Sequence, residues 1–446
     1  MSRTSVVAPG TSLPAEAPLS VTLGQKTRLL PHHERESLGI FKQLDLPVTK
    51  GASWLRRCLL IAPFLATTLC AGEITTGSML GKHYDPRAFY VRNAPGDIWQ
   101  KTYSGPAYRH EAQGKLMNIR LANALFLDEW MHERPFDPEF NTDAVIQALD
   151  FYKDHGVLMI NVSLQGAQAG YDKSVNGIDR ENAYSLGPGR GAYVSAFRPD
   201  GSLKADWLAR LERLLRAADQ RGMFVNLSYF YHGQAGQFRS TAAIHNAAVN
   251  ITGWLIAHDF RNVIVDVANE YDLPGLQWEF KGYIPQNIIP LIDEVRECFR
   301  HGDYILPIGT SSDGHMRYPP ALQGQVDVLL IHGDGRDPQE KARRVAELKD
   351  AQRPVLMTED DNGRATTLEH LAGDLASCDI FFRRAEGWGY LPWIQAQRFP
   401  FRYLPGAAAG VRDDMPEPER DMAYFHAVLD HIASLTLRRP PKEDGP

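Results

Sequence analysis

The sequence predicts an α/β protein, a TIM (β/α)8 barrel with a short N-terminal extension, and three observations favour this fold. From residue 115 onward, short apolar segments typical of buried parallel strands alternate with segments whose apolar residues have helical spacing. Eight strands and their helices fit in about 320 residues, which suits one barrel. No glycine-rich phosphate-binding motif follows the first strand, which disfavours a dinucleotide-binding sheet.

The strands are predicted from short apolar runs, many of them rich in β-branched and aromatic residues. Helices are predicted between them and after the last one, and Asn141, Ser202 and Asp337-Pro338 are the start signals. Residues 79–115 are rich in Tyr, Gly and Pro, so we expect short strands or an irregular cap there, and the barrel domain is predicted over residues 80–437. The predicted strands are residues 117–126, 157–164, 223–231, 262–271, 304–309, 326–331, 354–358 and 387–395.

Two segments precede the predicted barrel. Residues 1–50 have little periodicity and are predicted to be disordered. Residues 51–72 combine a basic flank, a short apolar stretch and small residues, which predicts a signal peptide and a secreted or periplasmic protein. This segment lies about fifty residues deeper than is usual for a signal, so we expect the true start near Val48. A short membrane anchor and a buried apolar segment are the alternatives.

The composition excludes some classes of function. The 446 residues are 43% hydrophobic and 23% charged, as in a globular protein. A net charge of −6 argues against a nucleic-acid partner, which favours a basic face. No stable membrane insertion is expected, because the apolar stretch is too short to span a bilayer comfortably. Cys298 and Cys378 occupy apolar helix positions typical of core thiols, and no cofactor or metal is predicted.

Two predicted strands end in a glutamate. The fourth strand stops at Asn269-Glu270, and the seventh stops at Glu359. The carboxyl ends of barrel strands share one face, where enzymes of this fold place their catalytic residues. Two carboxylates across that mouth suit glycoside hydrolysis, which needs a proton donor and a partner carboxylate. The alternative is that Asn269 and Glu270 only open a surface loop.

These residues resemble clan A of the glycoside hydrolases, and within it the cellulase-type family 5. That clan has Asn-Glu at the end of strand four and Glu at the end of strand seven, where this chain has Asn269-Glu270 and Glu359. The resemblance covers residues 80 to 437. Further matches at strand ends are His332 for a frequent His after strand six, and Trp393 or Trp388 for a frequent Trp after strand eight.

The chain departs from the family pattern on two strands. Family 5 usually has Arg on strand two, where the nearest residue here is Asn161, so Arg120 on strand one is the candidate replacement. The family's His-x-Tyr of strand six is His332-Gly333-Asp334 here, so the Tyr that positions the nucleophile is missing. The candidates to replace it, and to match a His of strand three, are Tyr229, Tyr231 and His232.

The resemblance implies a retaining glycoside hydrolase that cleaves β-linked oligo- or polysaccharides without a cofactor or metal. Glu270 would be the acid/base and Glu359 the nucleophile, with carboxyl groups about 5–5.5 Å apart. We expect a raised pKa for Glu270, a general acid, and an ionised Glu359 paired with Arg120. The loops 166–201 and 272–285 would wall the cleft. The implied substrate contacts are Asn269 at the sugar 2-hydroxyl, His332, Trp393, Tyr229, Tyr231, Arg120 and Trp278.

Two alternative functions follow from the same residues. A carbohydrate-binding barrel without catalysis is motivated by the missing Arg and Tyr. A metal-dependent barrel hydrolase would use His332, Asp334, Asp360 and Asp361. Such barrels typically have His-x-His on the first strand, but no His lies between residues 115 and 130. Asp360 and Asp361 are therefore expected to be solvated loop acids.

Overall fold

A computed structural model describes residues 72–126, 136–166, 170–171, 194–232, 238–273, 279–361, 365–406 and 410–438. The predicted disordered and signal segments, apart from Gly72, lie outside these ranges. So do Trp278 and most of the loop 166–201. Among the described residues, no helix is both long and apolar enough to cross a membrane.

A small antiparallel sheet precedes the barrel, as expected for the cap. Its strands are β1 (Glu73–Thr76), β2 (Phe89–Arg92) and β3 (Gln100–Lys101), and a short helix α1 (Gly77–Leu80) follows β1. The Ile74 N–H donates to the carbonyl of Arg261, 3.1 Å away. Arg261 lies just before the fourth barrel strand, so the cap contacts the amino-terminal end of the barrel.

Eight parallel strands form the barrel, which confirms the predicted fold class. Six make a continuous sheet in the order β12-β4-β5-β7-β8-β9, and β10 pairs with β11. A parallel bridge between Ser311 and Leu330 joins β9 to β10, and one between Asp360 and Tyr390 joins β11 to β12, so the strands follow one another around a ring. Their bounds are β4 (Asn118–Arg120), β5 (Met159–Ser163), β7 (Phe224–Tyr231), β8 (Val263–Asn269), β9 (Ile308–Gly309), β10 (Leu329–His332), β11 (Val355–Glu359) and β12 (Gly389–Tyr390).

Outside the ring, two more strands and the helices complete the fold. The strands β6 (Gly170–Tyr171) and β13 (Arg398–Phe399) pair with each other in parallel. The helices pack their apolar residues on the strands in one continuous core. Their bounds are α2 (Pro138–Asp154), α3 (Ala205–Gln220), α4 (Thr241–Ala257), α5 (Glu279–Gln286), α6 (Ile288–Arg300), α7 (Pro320–Gln323), α8 (Pro338–Leu348), α9 (Leu368–Arg384) and α10 (Glu417–Thr436).

Two of the three predicted helix starts are wrong. Asp137, not Asn141, caps α2, because its carboxylate accepts hydrogen bonds from the N–H groups of residues 139 and 140. Asn141 lies inside the helix and donates to the carbonyls of Asn123 and Ala124. Ser202 lies before α3 and bonds Asp200 instead. Asp337 caps α8 ahead of Pro338, as predicted.

Several strands are shorter than their apolar segments. The first ends at Arg120, and residues 121–126 continue as buried turns, which have the same apolar composition as a strand. The eighth ends at Tyr390, and a short helix at Trp393–Gln397 follows it. Cys378 is a buried free thiol, as predicted, whereas Cys298 is only half-buried.

Candidate active site

Glu359 is the last residue of β11 and contacts a buried arginine. The Arg120 Nε lies 2.7 Å from Glu359 Oε2, and the Arg120 side chain is 2% exposed. Its other end donates to Asn269 Oδ1 over 2.8 Å. Burial disfavours the charge of Arg120, but the acidic groups around it, with Glu359 contributing most, together outweigh burial and raise the pKa of the guanidinium. Arg120 therefore joins the carboxyl ends of β4, β8 and β11 with a permanent positive charge.

Glu270 lies one residue beyond β8 and has a strained backbone. Its φ is 50°, in the left-handed region that residues other than glycine rarely adopt. The Glu270 N–H donates to Ser311 Oγ over 3.1 Å, and the Ser311 hydroxyl donates to the Asp266 carboxylate. Such strain persists where surrounding contacts enforce it, and it is common at functional sites. Here it turns the carboxylate towards the barrel mouth.

Two histidines hold the Glu270 carboxylate. His232 Nε2 lies 3.0 Å from Oε2, and His332 Nδ1 lies 3.3 Å from Oε1. Burial alone would raise the pKa of Glu270, but hydrogen bonds from His232 and His332, together with their positive charge, lower it below its ordinary value. The predicted raised pKa of Glu270 is therefore wrong for this structure, because His232 and His332, although both were candidates at the barrel mouth, were not expected to contact the Glu270 carboxylate directly.

His332 links the two glutamates. It ends β10, is fully buried, and its Nδ1 lies 3.3 Å from both Glu270 Oε1 and Glu359 Oε2. A protonated Nδ1 in this position can donate to either carboxyl oxygen. The two oxygens can be no farther apart than twice 3.3 Å. The sequence-predicted pair of carboxylates is thus brought together at the barrel mouth.

The two candidate tyrosines of β7 have different environments. The Tyr229 hydroxyl lies 3.2 Å from Thr252 Oγ1 on α4, so it faces the helix layer, and its proposed place in the site is wrong. Tyr231 is buried and stacks on His232, with ring centroids 4.5 Å apart. Burial and then the charge of Glu359 raise the pKa of Tyr231 well above its ordinary value. Tyr231 is therefore a protonated donor beside the glutamates.

Asparagines fill the barrel beneath the glutamates. Asn161 donates to Asn118 Oδ1 over 2.6 Å and to the Thr358 carbonyl over 3.0 Å. Asn118 in turn donates to the Met357 carbonyl over 3.0 Å. Asn161 thus braces the strand that ends in Glu359 and does not supply the positive charge that Arg120 provides.

The two aspartates that follow β11, Asp360 and Asp361, are more buried than predicted. Asp360 forms an ion pair of 2.6 Å with the buried Lys341 and accepts a 2.6 Å hydrogen bond from Trp388 Nε1. Burial and the nearby Asp374 raise the pKa of Asp361 to about 8. Neither acid is a solvated loop residue, because both are buried and Asp360 contacts Lys341 of α8 and Tyr390 of β12.

Asp334 is a third carboxyl group at the mouth. Burial, then the charge of Glu359, raises the pKa of Asp334 well above its ordinary value. Ligand atoms of Glu270, His332 and Asp334 lie within 4.8 Å of one another, which suits a metal ion. The fully buried Asp360, which Lys341 and Trp388 already engage, is not in this group.

The two candidate tryptophans at the eighth strand differ in burial. Trp388 is fully buried under β12 and positions Asp360, so it is not a substrate contact. Trp393 is partly exposed in the short helix after β12, beside Asp361 and Tyr390. Sequence reasoning missed Ser311 and Lys341, and the only signal for Ser311 was the polar Thr310-Ser311-Ser312 run after the fifth strand.

The fold is similar to solved structures of glycoside hydrolases. An exo-β-1,4-mannosidase from Opitutaceae bacterium strain TAV5 has 17% identity and a TM-score of 0.43, with 66% of this chain and 54% of that chain covered. A glycoside hydrolase family 5 protein from Bacteroides vulgatus has 12% identity and a TM-score of 0.44, with 80% of this chain and 68% of that chain covered. A broad-specificity endoglucanase from Clostridium longisporum has 10% identity and a TM-score of 0.47, with 74% of this chain and 98% of that chain covered.

The chain spans about half the length of the mannosidase. No family model matches the chain, and no curated protein matches it.

Proposed function

We propose that this protein is a retaining glycoside hydrolase that cleaves β-linked oligo- or polysaccharides. The observation that carries the proposal is the placement of Glu270 and Glu359, whose carboxyl oxygens both lie 3.3 Å from His332 Nδ1 at the carboxyl ends of the strands. The match of Asn269-Glu270 and Glu359 to the strand-end motifs of clan A supports the same chemistry.

The close approach of the two carboxyl groups supports the retaining mechanism. Retaining enzymes have carboxyl groups about 5–5.5 Å apart, whereas inverting enzymes need about 6.5–9.5 Å to fit a water molecule. The shared contact with His332 Nδ1 keeps one oxygen of each carboxyl group within twice 3.3 Å of the other, which is compatible with the retaining separation. In that mechanism Glu359 would act directly on the sugar.

In the first step, a Glu359 oxygen forms a bond to the anomeric carbon as the bond to the leaving oxygen breaks. The leaving oxygen takes a proton from the group formed by Glu270 and its two histidine neighbours. Because Glu270 lies within hydrogen-bond distance of His232 and His332, either imidazole can exchange that proton with the carboxyl group. In the second step the same groups take a proton from water, whose oxygen displaces Glu359 from the sugar.

Other side chains would position these groups and the substrate. Arg120 orients Glu359 through the 2.7 Å ion pair and orients Asn269 through its amide oxygen. The Asn269 Nδ2 makes no hydrogen bond among the described residues, so it can donate to the sugar 2-hydroxyl. Tyr231, whose pKa is raised well above its ordinary value, is a hydrogen-bond donor that can take the role of the missing family tyrosine. The raised pKa of Asp334 favours its protonated form, which can also donate to a carboxylate.

The test is a screen of the purified protein on aryl β-glycosides and β-linked polysaccharides, with Glu359→Gln as the control. The proposal predicts release of aryl alcohol or reducing sugar by the unmutated protein and none above background by the variant. Binding of glucan or mannan without release of reducing sugar would favour a carbohydrate-binding barrel instead.

A metal-dependent hydrolase is the second candidate, because Glu270, His332 and Asp334 present three ligands within 4.8 Å. A strong chelator discriminates between the two. The glycosidase proposal predicts that activity on the best substrate of the screen is unchanged after dialysis against the chelator, whereas loss and recovery with Zn²⁺ would favour the metal enzyme.

We further propose that residues 51–72 direct export, as their composition indicates. Amino-terminal sequencing of protein recovered from the medium or periplasm tests this. A mature chain that begins close to residue 72 is expected, and a chain that keeps Met1 would contradict it.

A further inference from the structure

A second cluster of metal-ligating side chains shares no residue with the candidate active site and lies where α10 packs on the end of α2. It contains His155, His426 and Asp430, whose ligand atoms all lie within 4.8 Å of one another. His155 is the residue that ends α2, and the other two lie one turn apart on α10. Neither the predicted glycosidase chemistry nor the clan resemblance uses these residues.

The orientation of His155 is fixed by its surroundings. Its Nδ1 lies 2.8 Å from the Phe151 carbonyl, which can only accept, so Nδ1 carries the proton. The Phe151 ring stacks on the imidazole with centroids 4.2 Å apart, and the His155 side chain is 5% exposed. Metal-bound histidines usually have this arrangement, in which one ring nitrogen donates to a carbonyl and the other faces the metal.

The remaining nitrogen of His155 faces an unfavourable neighbour. Nε2 lies 3.6 Å from Asp430 Oδ1, and in the neutral ring it carries a lone pair that faces this carboxylate oxygen. Two acceptors that face each other at this distance repel unless a cation lies between them. His426 Nδ1 lies 3.0 Å from the other oxygen, Asp430 Oδ2, so a second imidazole adjoins the same carboxylate.

The spacing of these atoms suits a tetrahedral ion. Ligands about 2.0–2.1 Å from Zn²⁺ in tetrahedral geometry lie about 3.3 Å from one another. His155 Nε2 lies 3.6 Å from Asp430 Oδ1 and His426 Nδ1 lies 3.0 Å from Asp430 Oδ2, so each imidazole is near this spacing from one carboxylate oxygen. Two imidazoles and one carboxylate are a set that Zn²⁺ accepts, with water as the fourth ligand. Asp430 is 47% exposed, which leaves access for the ion and that water.

We propose that His155, His426 and Asp430 form a site for a divalent transition-metal ion, for which Zn²⁺ is the best fit. The site would fasten α10, the last helix of the barrel, to the end of α2. The two elements already approach closely there, because a Cβ on Gly156 (φ 79°) would lie only 1.9 Å from Thr436 Oγ1. An ion bound only by the folded protein stabilises it.

His258 provides a matched control. It also follows the last residue of a helix, its Nδ1 lies 2.9 Å from the Trp254 carbonyl, and its ring packs on Trp254 with centroids 4.4 Å apart. It thus repeats the local arrangement of His155. In the part of the chain that the structure describes, however, His258 belongs to no group of metal ligands.

The test is calorimetric titration of the chelator-treated full chain with Zn²⁺, with Co²⁺ as a spectroscopic probe of tetrahedral geometry. The variants are Asp430→Asn, which keeps the shape of an exposed side chain, and His426→Gln, with His258→Gln as the control. We expect one Zn²⁺ whose affinity falls at least tenfold in the first two variants and is unchanged in the third. Saturating Zn²⁺ should raise the melting temperature by a few degrees in the unmutated chain and in His258→Gln only.

Two results would overturn the proposal. One is no binding of either metal by the unmutated chain, which would leave the cluster as an ion pair of protonated histidines. The other is equal affinity in Asp430→Asn, His426→Gln and the unmutated chain, because a metal held at Glu270, His332 and Asp334 would survive both substitutions. The proposal is independent of glycosidase activity, since its readouts are metal binding and melting temperature.

Discussion

The ends of β8 and β11 each present a glutamate to the barrel mouth, but their surroundings differ in kind. Glu359 closes a regular strand and contacts Arg120, whose charge does not change in the working pH range. Glu270 lies in a strained turn and contacts His232 and His332, whose imidazole rings are able to accept and release protons. A fixed positive charge suits a nucleophile, whereas groups that can exchange protons suit an acid/base. The comparison therefore supports the proposed roles of the two glutamates independently of the sequence motifs.

The largest expected effect is that of Glu359→Ala. Turnover of every substrate should fall about 10⁵-fold, because no covalent intermediate can form without the nucleophile. Azide should restore part of the rate and give a glycosyl azide of inverted configuration. Steady-state rates and product analysis by NMR check this, and a variant that keeps a tenth of the activity would remove Glu359 from its role.

Glu270→Ala should fail in a different way. Loss of proton transfer should lower the rate about 10²–10⁴-fold on substrates with poor leaving groups. The rate should fall much less on activated aryl glycosides, whose aryl group leaves with little protonation. Rates on a series of aryl glycosides of graded leaving-group pKa measure this. Equal losses across the series would show that Glu270 does not protonate the leaving oxygen.

The buried ion pair beside Glu359 should matter for stability as well as for rate. Arg120→Leu leaves a carboxylate that is 8% exposed without its partner, so the free energy of unfolding should fall by about 3–5 kcal/mol. Arg343→Leu is the control, because its 2.6 Å ion pair with Glu347 is half-exposed and should contribute no more than about 1 kcal/mol. Denaturant unfolding of both variants tests the difference, and equal losses would contradict it.

The raised pKa of Asp361 predicts that the stability of the fold depends on pH. Asp361 has a pKa of about 8 in the folded protein, against about 3.9 in an unfolded chain. The folded state therefore binds the proton more tightly, and stability should fall as the pH rises from about 4 to 8. Asp361→Asn should remove part of this slope, which unfolding measured at pH 5 and pH 8 would show. If the variant lost stability with pH as steeply as the unmutated protein, Asp361 would not be the source of the pH dependence.

The smallest expected effect is that of Asp334→Asn. A protonated carboxyl and an amide can both donate a hydrogen bond, so activity should change by less than about tenfold, while Asp334→Ala should lose more. Kinetics of the two variants separate this role from metal ligation, since an amide is a poor replacement for a metal-binding carboxylate. A loss as large in the Asn variant as in the Ala variant would favour the metal-dependent alternative.

The sequence predicted the fold class and the meeting of Asn269, Glu270, Glu359 and Arg120, because parallel barrel strands place their carboxyl ends on one face. It did not separate Tyr229 from Tyr231, because residues two apart on a regular strand are expected on the same face. It also failed for the pKa of Glu270, because that value depends on hydrogen bonds from His232 and His332. Strand order predicts which residues reach the barrel mouth, but it does not predict which of their atoms come into contact there.

The central claim is that Glu359 attacks the sugar directly, and the configuration of the first product tests it most simply. Hydrolysis of the best aryl β-glycoside by the unmutated protein, followed by NMR before the product mutarotates, reports which anomer forms first. Two displacements at the anomeric carbon, one by Glu359 and one by water, predict the β-anomer. A first-formed α-anomer would mean that water attacks the substrate itself, and it would contradict the account.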